Sequence, residues 1–345
     1  MRGCLVPLVH TRLLNAPSSS TASEQHFSAP RIAGLLARVD LLPEVTEHVR
    51  LARDLRDSGF ASADLAAMLR SGELQHLRRS AYATRPMSSA ADAHRLLVAG
   101  TLPLLCSTSV VSHQSACLLH ELPWWSDSCS RVHVTRSKPS GGRRDPLVHV
   151  HPALLEPYDQ VTIDGTPVTS LARTVADCLR TLPYPRAVAV ADAALRMGLS
   201  RKELAAQLRR ASRRVGVGRA RRAAAFADGR AESVGESFSR VLLHEIRLPP
   251  SDLQVEVHDE QGVLVGRCDF GWAQFRTLGE FDGRVKYGRL LREGEEPGDA
   301  VFAEKVREDG LRNLGNEVVR WTDADLRSPP ALRARLLRAF ARGQR

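Results

Sequence analysis

The last third of the chain changes from helical to strand periodicity and back, and this change restricts the fold more than any other feature. Residues 231–246 repeat apolar side chains at the spacing of one helix face. Three short segments follow, at 253–258, 263–270 and 277–283, in which apolar and polar residues alternate as they do in strands. A helical pattern returns at 301–314, before an apolar run that indicates one more strand. This order predicts an α/β domain.

Acidic side chains stand on two of these predicted strands. Asp269 lies near the end of the second strand, and Glu280 and Asp282 share one face of the third because side chains alternate along a strand. If the two strands pair as a hairpin, Asp269 comes within reach of Glu280. Grouped carboxylates repel each other without a cation, and such oxygen ligands suit Mg²⁺ or Mn²⁺, which can activate water at a phosphodiester. The alternative is that these acids are solvated residues at a sheet edge.

The closing part of this region carries the motif residues of a known family. They read Glu304-Lys305-x-Arg307-Glu308, Leu311-Arg312-x-Leu314-Gly315 and Val318-Val319-Arg320-Trp321. With the order of elements, they make residues 230–326 resemble the very-short-patch-repair endonuclease-like branch of the PD-(D/E)xK superfamily. The resemblance implies a restriction-endonuclease-like α/β domain over 231–330, with a central mixed sheet, that hydrolyses DNA with Mg²⁺ or Mn²⁺.

The same resemblance implies roles for individual residues. Asp269 and Glu280 would be metal ligands, with Asp282 as a third strand carboxylate. Glu236 would be a supporting acid on the first helix. The superfamily has a lysine two residues after the glutamate, where this chain has Asp282; the nearest candidates for that role are Lys286 and Lys305. That lysine orients the attacking water, so its replacement favours a domain that keeps the fold without turnover.

Residues 31–87 predict three helices and a short basic hairpin. Helical spacing recurs at 32–39 and 45–55, and a third helix is expected at 62–69 with Ser62 as its cap. Residues 74–84 predict a hairpin whose apolar side chains point inward and whose arginines point outward: Arg78, Arg79 and Arg85. This is the order of a winged helix-turn-helix, in which the third helix enters the major groove and the wing contacts phosphate. The expected DNA contacts are Ser62, Arg70 and the three hairpin arginines.

A second resemblance covers roughly residues 45–200. It rests on Gly72-Glu73-Leu74, Arg78-Arg79 and Tyr82, on Ser112-His113-Gln114-Ser115-Ala116 and Leu119-His120-Glu121-Leu122-Pro123, and on the run from Val168 to Asp177. These residues resemble the AbiEi family of antitoxins, although Ser80-Ala81 replaces the glycine that usually precedes the tyrosine. The resemblance implies a DNA-binding winged helix and a cognate toxin as a further partner.

The remaining segments are assigned by composition and pattern. Residues 1–30 are expected to form a loose leader, 88–200 a mixed α/β middle region, 201–230 a basic linker and 331–345 a basic C-terminal helix that makes a phosphate or packing contact. Between positions 196 and 230, eleven Lys or Arg residues face two acids. Arg213 and Arg214 in that stretch, and Arg284 in the loop after Asp282, are expected on phosphate. The alternatives are a solvated helix or linker for the first pair and a loop covering the sheet for Arg284.

Histidines concentrate in the middle region, at His113, His120, His133, His149 and His151. A metal site is one interpretation, but we favour hydrogen-bonded histidines because no cysteine or carboxylate completes a ligand set. Arg173 and Asp177 stand four residues apart and predict an intrahelical ion pair. The six cysteines form no CxxC pair and so favour a reduced compartment over a zinc knuckle or a disulfide scaffold.

The formal net charge of +10 favours polyanionic partners, DNA first. No apolar run reaches the length that spans a bilayer and no signal peptide is recognised, so we expect a cytoplasmic protein without a membrane partner. The whole is expected to be a multidomain α/β protein. Two functions follow from these observations: a metal-dependent DNA endonuclease, or a non-catalytic, antitoxin-like DNA-binding regulator that retains a nuclease fold. A ribonuclease stays open, since nothing in the sequence distinguishes a 2′-hydroxyl.

Overall fold

The computed structural model describes residues 43–128, 130–137, 146–283 and 297–345. Residues 42–345 form one compact unit, and its described part is mixed α/β with three sheets that follow one another along the chain. This agrees with the α/β expectation at that coarse level. The predicted leader, the helix at 32–39, Arg284 and Lys286 lie outside the described residues. Within the described ranges, no helix has the length and apolar character needed to cross a lipid bilayer.

The first sheet is small and antiparallel, with strand order β1-β3-β2. Its elements, in chain order, are α1 (Pro43–Glu47), β1 (Val49–Leu51), α2 (Ala52–Asp57), α3 (Ser62–Ser71), β2 (Gln75–Arg78) and β3 (Ala81–Ala83). The prediction of one helix over 45–55 is wrong, because residues 49–51 pair with β3 and the pairing overrides helical spacing. Ser62 is the first helical residue of α3 and not its cap; the cap Ala61 donates its N–H to Asp64 Oδ2 at 2.7 Å.

The second sheet has five strands in the order β6-β5-β4-β8-β7, with β5–β6 and β4–β8 parallel and the other pairs antiparallel. Its elements are α4 (Ala90–Thr101), β4 (Val110–Val111), α5 (His113–Leu119), β5 (Val132–Arg136), β6 (Val148–Pro152), β7 (Gln160–Ile163) and β8 (Thr166–Thr169). Alternating valines, such as Val132 and Val134, pack with Ala116 and Leu119 of α5. The residues between those valines therefore lie on the opposite face of the sheet.

A layer of four helices follows the second sheet. They are α6 (Leu171–Thr181), α7 (Tyr184–Arg196), α8 (Arg201–Arg210) and α9 (Val217–Phe226). The segment 201–230 is therefore not a linker: Leu204, Leu208 and Ala223 are buried in the same apolar core as the first two helices. The many arginines of this segment favoured a linker. They lie on the outer face of the helices, and the apolar side chains between them, spaced three and four residues apart, form the buried face.

The third sheet has the order β12-β11-β10-β9, antiparallel except for the parallel pair β11–β12. Its elements are α10 (Val234–Glu245), β9 (Asp252–His258), β10 (Leu264–Trp272), β11 (Thr277–Phe281), α11 (Pro297–Asn313), β12 (Glu317–Trp321), α12 (Asp323–Leu326) and α13 (Pro329–Gly343). The basic helix expected at 331–345 is part of this domain, since Leu336 and Phe340 of α13 pack in one core with Trp272 and Trp321. Gly279 is required there because a Cβ would lie 2.6 Å from the Trp321 ring.

Candidate functional site

Asp269 and Glu280 lie opposite each other on neighbouring strands, as the sequence predicts. Phe270 of β10 pairs with Gly279 of β11, so the next residues along each strand are Asp269 and Glu280. Asp269 Oδ2 accepts a hydrogen bond from the backbone N–H of Phe281 at 2.8 Å. The Asp269 carboxylate is thus turned toward the backbone of the neighbouring strand.

The side-chain alternation of β10 changes at Asp269. Cys268 packs with Leu278 and Leu311 on the α11 side of the sheet, whereas Phe270 packs in the core on the other side. Regular alternation would place both on one face. Register also places Asp269 opposite residue 254 of β9, which has a left-handed φ of 53°. Asp269 stands at the position where the alternation changes and belongs to neither apolar core.

Glu236 of α10 contacts Gln254, the residue of β9 that has the left-handed φ. It is buried near the start of the helix, whose cap Ser233 accepts the backbone N–H of Glu236 at 3.1 Å. Its Oε2 accepts from Glu232 N at 2.8 Å and from Gln254 Nε2 at 2.9 Å. Gln254 also lies opposite Asp269 in the register of β9 and β10, so the predicted helix-borne acid contacts the strand that neighbours the predicted strand acid.

Glu280 is buried on the α11 side and is held by two arginines. Arg307 Nη2 donates to its Oε1 at 2.7 Å, and Arg320 Nη2 donates to its Oε2 at 2.5 Å. Burial alone would raise the pKa of Glu280, but the hydrogen bond and charge of Arg307, with the charge of Arg320, hold that pKa below its ordinary value. Cys268 Sγ lies 3.2 Å from Oε1, and burial with the charge of Glu280 raises the pKa of Cys268 to about 12.

Arg320 of β12 joins Glu280 to three further acids. It contacts Glu304, lies 3.3 Å from Glu308 and lies 3.7 Å from Asp282. Arg307 also pairs with Glu304, at 2.6 Å. We call these six residues the carboxylate–arginine cluster: Glu280, Asp282, Glu304, Arg307, Glu308 and Arg320. It has four carboxylates and two guanidinium groups.

The sequence did not reveal Arg307 and Arg320 as partners of Glu280. Hydrophobic spacing alone would turn Phe302 and Val306 of α11 inward, yet their exposed fractions are 69% and 54%. The face of α11 toward the sheet carries residues 304, 307, 308 and 311 instead, at helical spacing and mostly charged. Lys305 is exposed, and none of the ion pairs in the described part of the chain includes it, so its role in place of the superfamily lysine stays a prediction.

The oxygen ligands present are of the type that Mg²⁺ prefers. Their arrangement is not yet that of a metal site, because Glu280 is paired with two arginines and Asp269 with a backbone N–H. Among the described residues, the one group of three potential ligands whose atoms all lie within 4.8 Å of one another consists of histidines, not carboxylates. The structure therefore brings Asp269, Glu280 and Asp282 into one region without joining all three.

Some of the expected DNA contacts of the first sheet are exposed, and the others are hydrogen-bonded to neighbouring residues of the protein. Ser62, Arg70 and Arg79 are exposed. The outward orientation predicted for Arg78 is wrong: a register shift between residues 76 and 78 turns it inward, where its Nη1 donates to Thr101 Oγ1 at 3.1 Å. Arg85 is also not a free outward charge, because both its terminal nitrogens donate to the carboxylate of Asp92, at 2.7 and 2.6 Å.

Arg213 is exposed, whereas Arg214 is half-buried, 4.0 Å from the buried Asp177. The predicted ion pair of Arg173 with Asp177 is confirmed, at 2.7 Å. It belongs to a larger buried network, since Arg173 also donates to Asp159 at 3.0 Å. The positive charge of Arg214 is thus partly balanced by the buried carboxylate of Asp177.

Four of the histidines of the middle region gather in one group, His113, His133, His149 and His151. His133 on β5 lies beside His149 on β6, and His151 stands two residues farther along the same strand. His133 Nδ1 lies 3.2 Å from His151 Nε2, and the buried His113 stacks on His151 with ring centroids 3.5 Å apart. Burial lowers the pKa of His133 to about 3 and of His151 to about 2, so these rings are neutral. His120 is separate and its Nε2 bonds the carbonyl of Thr169 at 2.8 Å.

No protein-family model matches the chain. It is similar to two uncharacterised proteins of Mycobacterium tuberculosis, Rv2248 of strain H37Rv and MT2308 of strain CDC 1551, each 33% identical over 184 residues. The matched segment is 53% of this chain and 65% of each relative, so the chain spans slightly less than two thirds of their length. Their names state no activity, and the similarity identifies related sequences only.

Proposed function

We propose that the chain is a metal-dependent endonuclease acting on DNA. The observation that carries this proposal is the placement of Asp269 opposite Glu280, at the point where the alternation of β10 changes. The order α10, three antiparallel strands, α11 and a parallel fourth strand supports it, because this is the order that the PD-(D/E)xK resemblance implies.

The chemistry required of each residue follows from these contacts. A bound Mg²⁺, held by Asp269 and Glu280, would supply a polarised water and neutralise charge on the phosphodiester. Glu236 holds Gln254, and with it the irregular part of β9, beside Asp269. Arg307 and Arg320 bring the positive charge that the superfamily takes from a lysine, and guanidinium groups suit phosphate oxygens.

The first sheet supports delivery to DNA. Its order of helix, strand, two helices and two strands is that of a winged helix-turn-helix, and we propose that function for residues 43–87. The exposed Ser62 and Arg70 on α3, with Arg79 in the β2–β3 turn, are the proposed contacts. One polar residue and two arginines favour phosphate contacts over reading of base edges.

A specific observation favours the second candidate, a DNA-binding regulator without turnover. Glu280 already has two positively charged partners, and Asp282 stands where the superfamily lysine is expected. A carboxylate neutralised in this way has less need of a cation. In this alternative the third domain keeps its fold as a binding surface, and a cognate toxin is the proposed partner.

The test is cleavage of supercoiled plasmid by purified protein with Mg²⁺, with Mn²⁺ and with chelator. Asp269→Asn and Glu280→Gln should reduce nicking by more than about 100-fold, because loss of a metal ligand exceeds the 10- to 100-fold cost of losing an outer-shell partner. Asp323→Asn and Glu260→Gln change exposed acids of the same domain in the same way and should cut as the wild type does. Far-UV circular dichroism and thermal unfolding establish that each variant is folded.

The alternatives give different results. Wild-type protein that shifts DNA in a gel but cuts it with neither metal would contradict the endonuclease and favour the regulator. Cutting that persists in Asp269→Asn would assign the activity elsewhere. Single-stranded RNA, tested beside the plasmid, decides whether the substrate is DNA.

A further inference from the structure

The histidine group on the second sheet is a site that the endonuclease proposal does not use. Parallel pairing of β5 with β6 places His133 directly beside His149, on the sheet face opposite the buried valines. His151 lies on the same face of β6, stacked on His149 with ring centroids 4.1 Å apart and planes 12° apart. Three imidazoles from two strands therefore converge at the β6 edge of the sheet.

The arrangement has the dimensions of a metal site. One ring nitrogen from each of His133, His149 and His151 lies within 4.8 Å of the other two. His133 Nδ1 and His151 Nε2 are 3.2 Å apart, and two nitrogens on one tetrahedral zinc, each at 2.0–2.1 Å, are separated by about 3.3 Å. We propose that His133, His149 and His151 bind one Zn²⁺ ion, or a transition-metal ion with the same preference for imidazole.

The ligand type decides the class of metal. A set of imidazole nitrogens without a carboxylate suits Zn²⁺, Ni²⁺ or Co²⁺ and does not suit Mg²⁺ or Ca²⁺. Imidazole ligates a metal in its neutral form, and the pairing of β5 with β6 places the three rings on one face of the sheet. This site is therefore separate, in position and in chemistry, from the carboxylate–arginine cluster.

The surroundings fix the orientation of the ligands. His113, with an exposed fraction of 2%, stacks on His151 at a plane angle of 15°, and its own Nδ1 lies 3.0 Å from Ser112 Oγ. The backbone N–H of His133 donates to Ser115 Oγ at 2.9 Å. A ring held from one side by a stacked neighbour loses less freedom on binding a metal. Three protein ligands leave a fourth position of a tetrahedral ion for water or another ligand.

The proposal is tested by metal binding to the full chain, purified without a histidine tag and stripped with chelator. Zn²⁺ is titrated in competition with a chromogenic chelator, and Co²⁺ is added separately to record its visible absorption. We expect one ion per chain and a tetrahedral Co²⁺ spectrum. His149→Ala removes an exposed ligand and should lower the affinity for Zn²⁺ by more than about 100-fold, and His151→Ala should do the same.

The matched control is His258→Ala, which removes an exposed strand histidine from the third sheet and should leave binding unchanged. Circular dichroism without metal establishes that His149→Ala is folded, so that a loss of binding reports the ligand and not the fold. An affinity for Zn²⁺ that is the same in wild type, His149→Ala and His151→Ala would overturn the proposal, as would the absence of stoichiometric binding by the wild type. In either case the four rings are a hydrogen-bonded and stacked group only.

Discussion

Replacing Arg240 with Met removes the positive partner of a buried carboxylate. Arg240 on α10 donates through Nη1 to Asp192 Oδ2 at 2.7 Å and through Nη2 to the carbonyl of Phe226 at 2.7 Å. Asp192 on α7 has an exposed fraction of 0% and also accepts the backbone N–H of Asp228 at 2.7 Å. The guanidinium group of Arg240 thus joins α10 to α7 and α9.

We expect Arg240→Met to lose much of the free energy of unfolding, because the carboxylate of Asp192 then stays buried without its positive partner. Breaking a buried ion pair by removing one partner costs about 3–5 kcal/mol, a large fraction of the total of roughly 5–15 kcal/mol that holds a typical domain. In the wild type, burial raises the pKa of Asp192 above the ordinary 3.8, and the charge of Arg240 opposes that rise. In Arg240→Met the positive charge is absent, so the pKa of Asp192 should rise further.

The direction of the pH dependence follows from proton binding. Between the ordinary pKa and the higher native one, the native state binds more protons than the unfolded state, so its stability increases as pH falls. The destabilisation of Arg240→Met should therefore be smaller at pH 5 than at pH 7. The double variant Asp192→Asn/Arg240→Met, which removes both charges, should recover part of the loss and should lose the added pH dependence.

Urea denaturation followed by circular dichroism measures these differences, with unchanged m-values required for the comparison. Arg338→Met on α13 is the matched control because Arg338 is exposed, and it should stay within about 0.5 kcal/mol of the wild type. A loss below about 1 kcal/mol in Arg240→Met, or an equal loss at both pH values, would refute the view that Asp192 is a buried charge balanced by Arg240.

Three further predictions concern packing and DNA contact. Gly279→Ala should lower the free energy of unfolding by about 1–3 kcal/mol, because its Cβ would lie 2.6 Å from the Trp321 ring; denaturation midpoints like those of the wild type would contradict this. Phe340→Ala should cost about 3–5 kcal/mol, since the ring is buried and stacks on Phe275 at 4.3 Å; a loss under 1 kcal/mol, on the scale of a surface change, would place α13 outside the core. Arg79→Ala should reduce the salt dependence of DNA binding by about one unit of slope, measured by anisotropy at several salt concentrations, and an unchanged slope would exclude a phosphate contact there.

The sequence predicted three strands of the third sheet, at 253–258, 263–270 and 277–283, to within about two residues, because alternation of apolar and polar residues is a local signal. It also predicted that Asp269 and Glu280 face each other, since a hairpin fixes the register. Two wrong predictions in the first sheet have the same cause. The β1 strand at 49–51 and the inward turn of Arg78 both depend on pairing with β3, which is not visible in local spacing.

The partners of Glu280 were missed for a related reason. Burial was expected for apolar side chains, whereas α11 turns Glu304, Arg307 and Glu308 toward the sheet, and these charges satisfy one another and Arg320. Hydrophobic periodicity cannot find an interface of that kind. A repeat of opposite charges at helical spacing, followed by an arginine on the next strand, is the signal that could have indicated it.

The two long helices that follow β11 are held by different forces, and salt acts on these forces in opposite directions. The part of α13 that packs against the sheet is apolar, through Leu332, Leu336 and Phe340, and salts that are excluded from protein surfaces strengthen such contacts. The contact of α11 combines the apolar Leu311 with partly exposed ion pairs of Glu304 and Arg307, and ionic strength screens these ion pairs. Added salt should therefore weaken the contact of α11, beside Glu280, before it weakens the contact of α13.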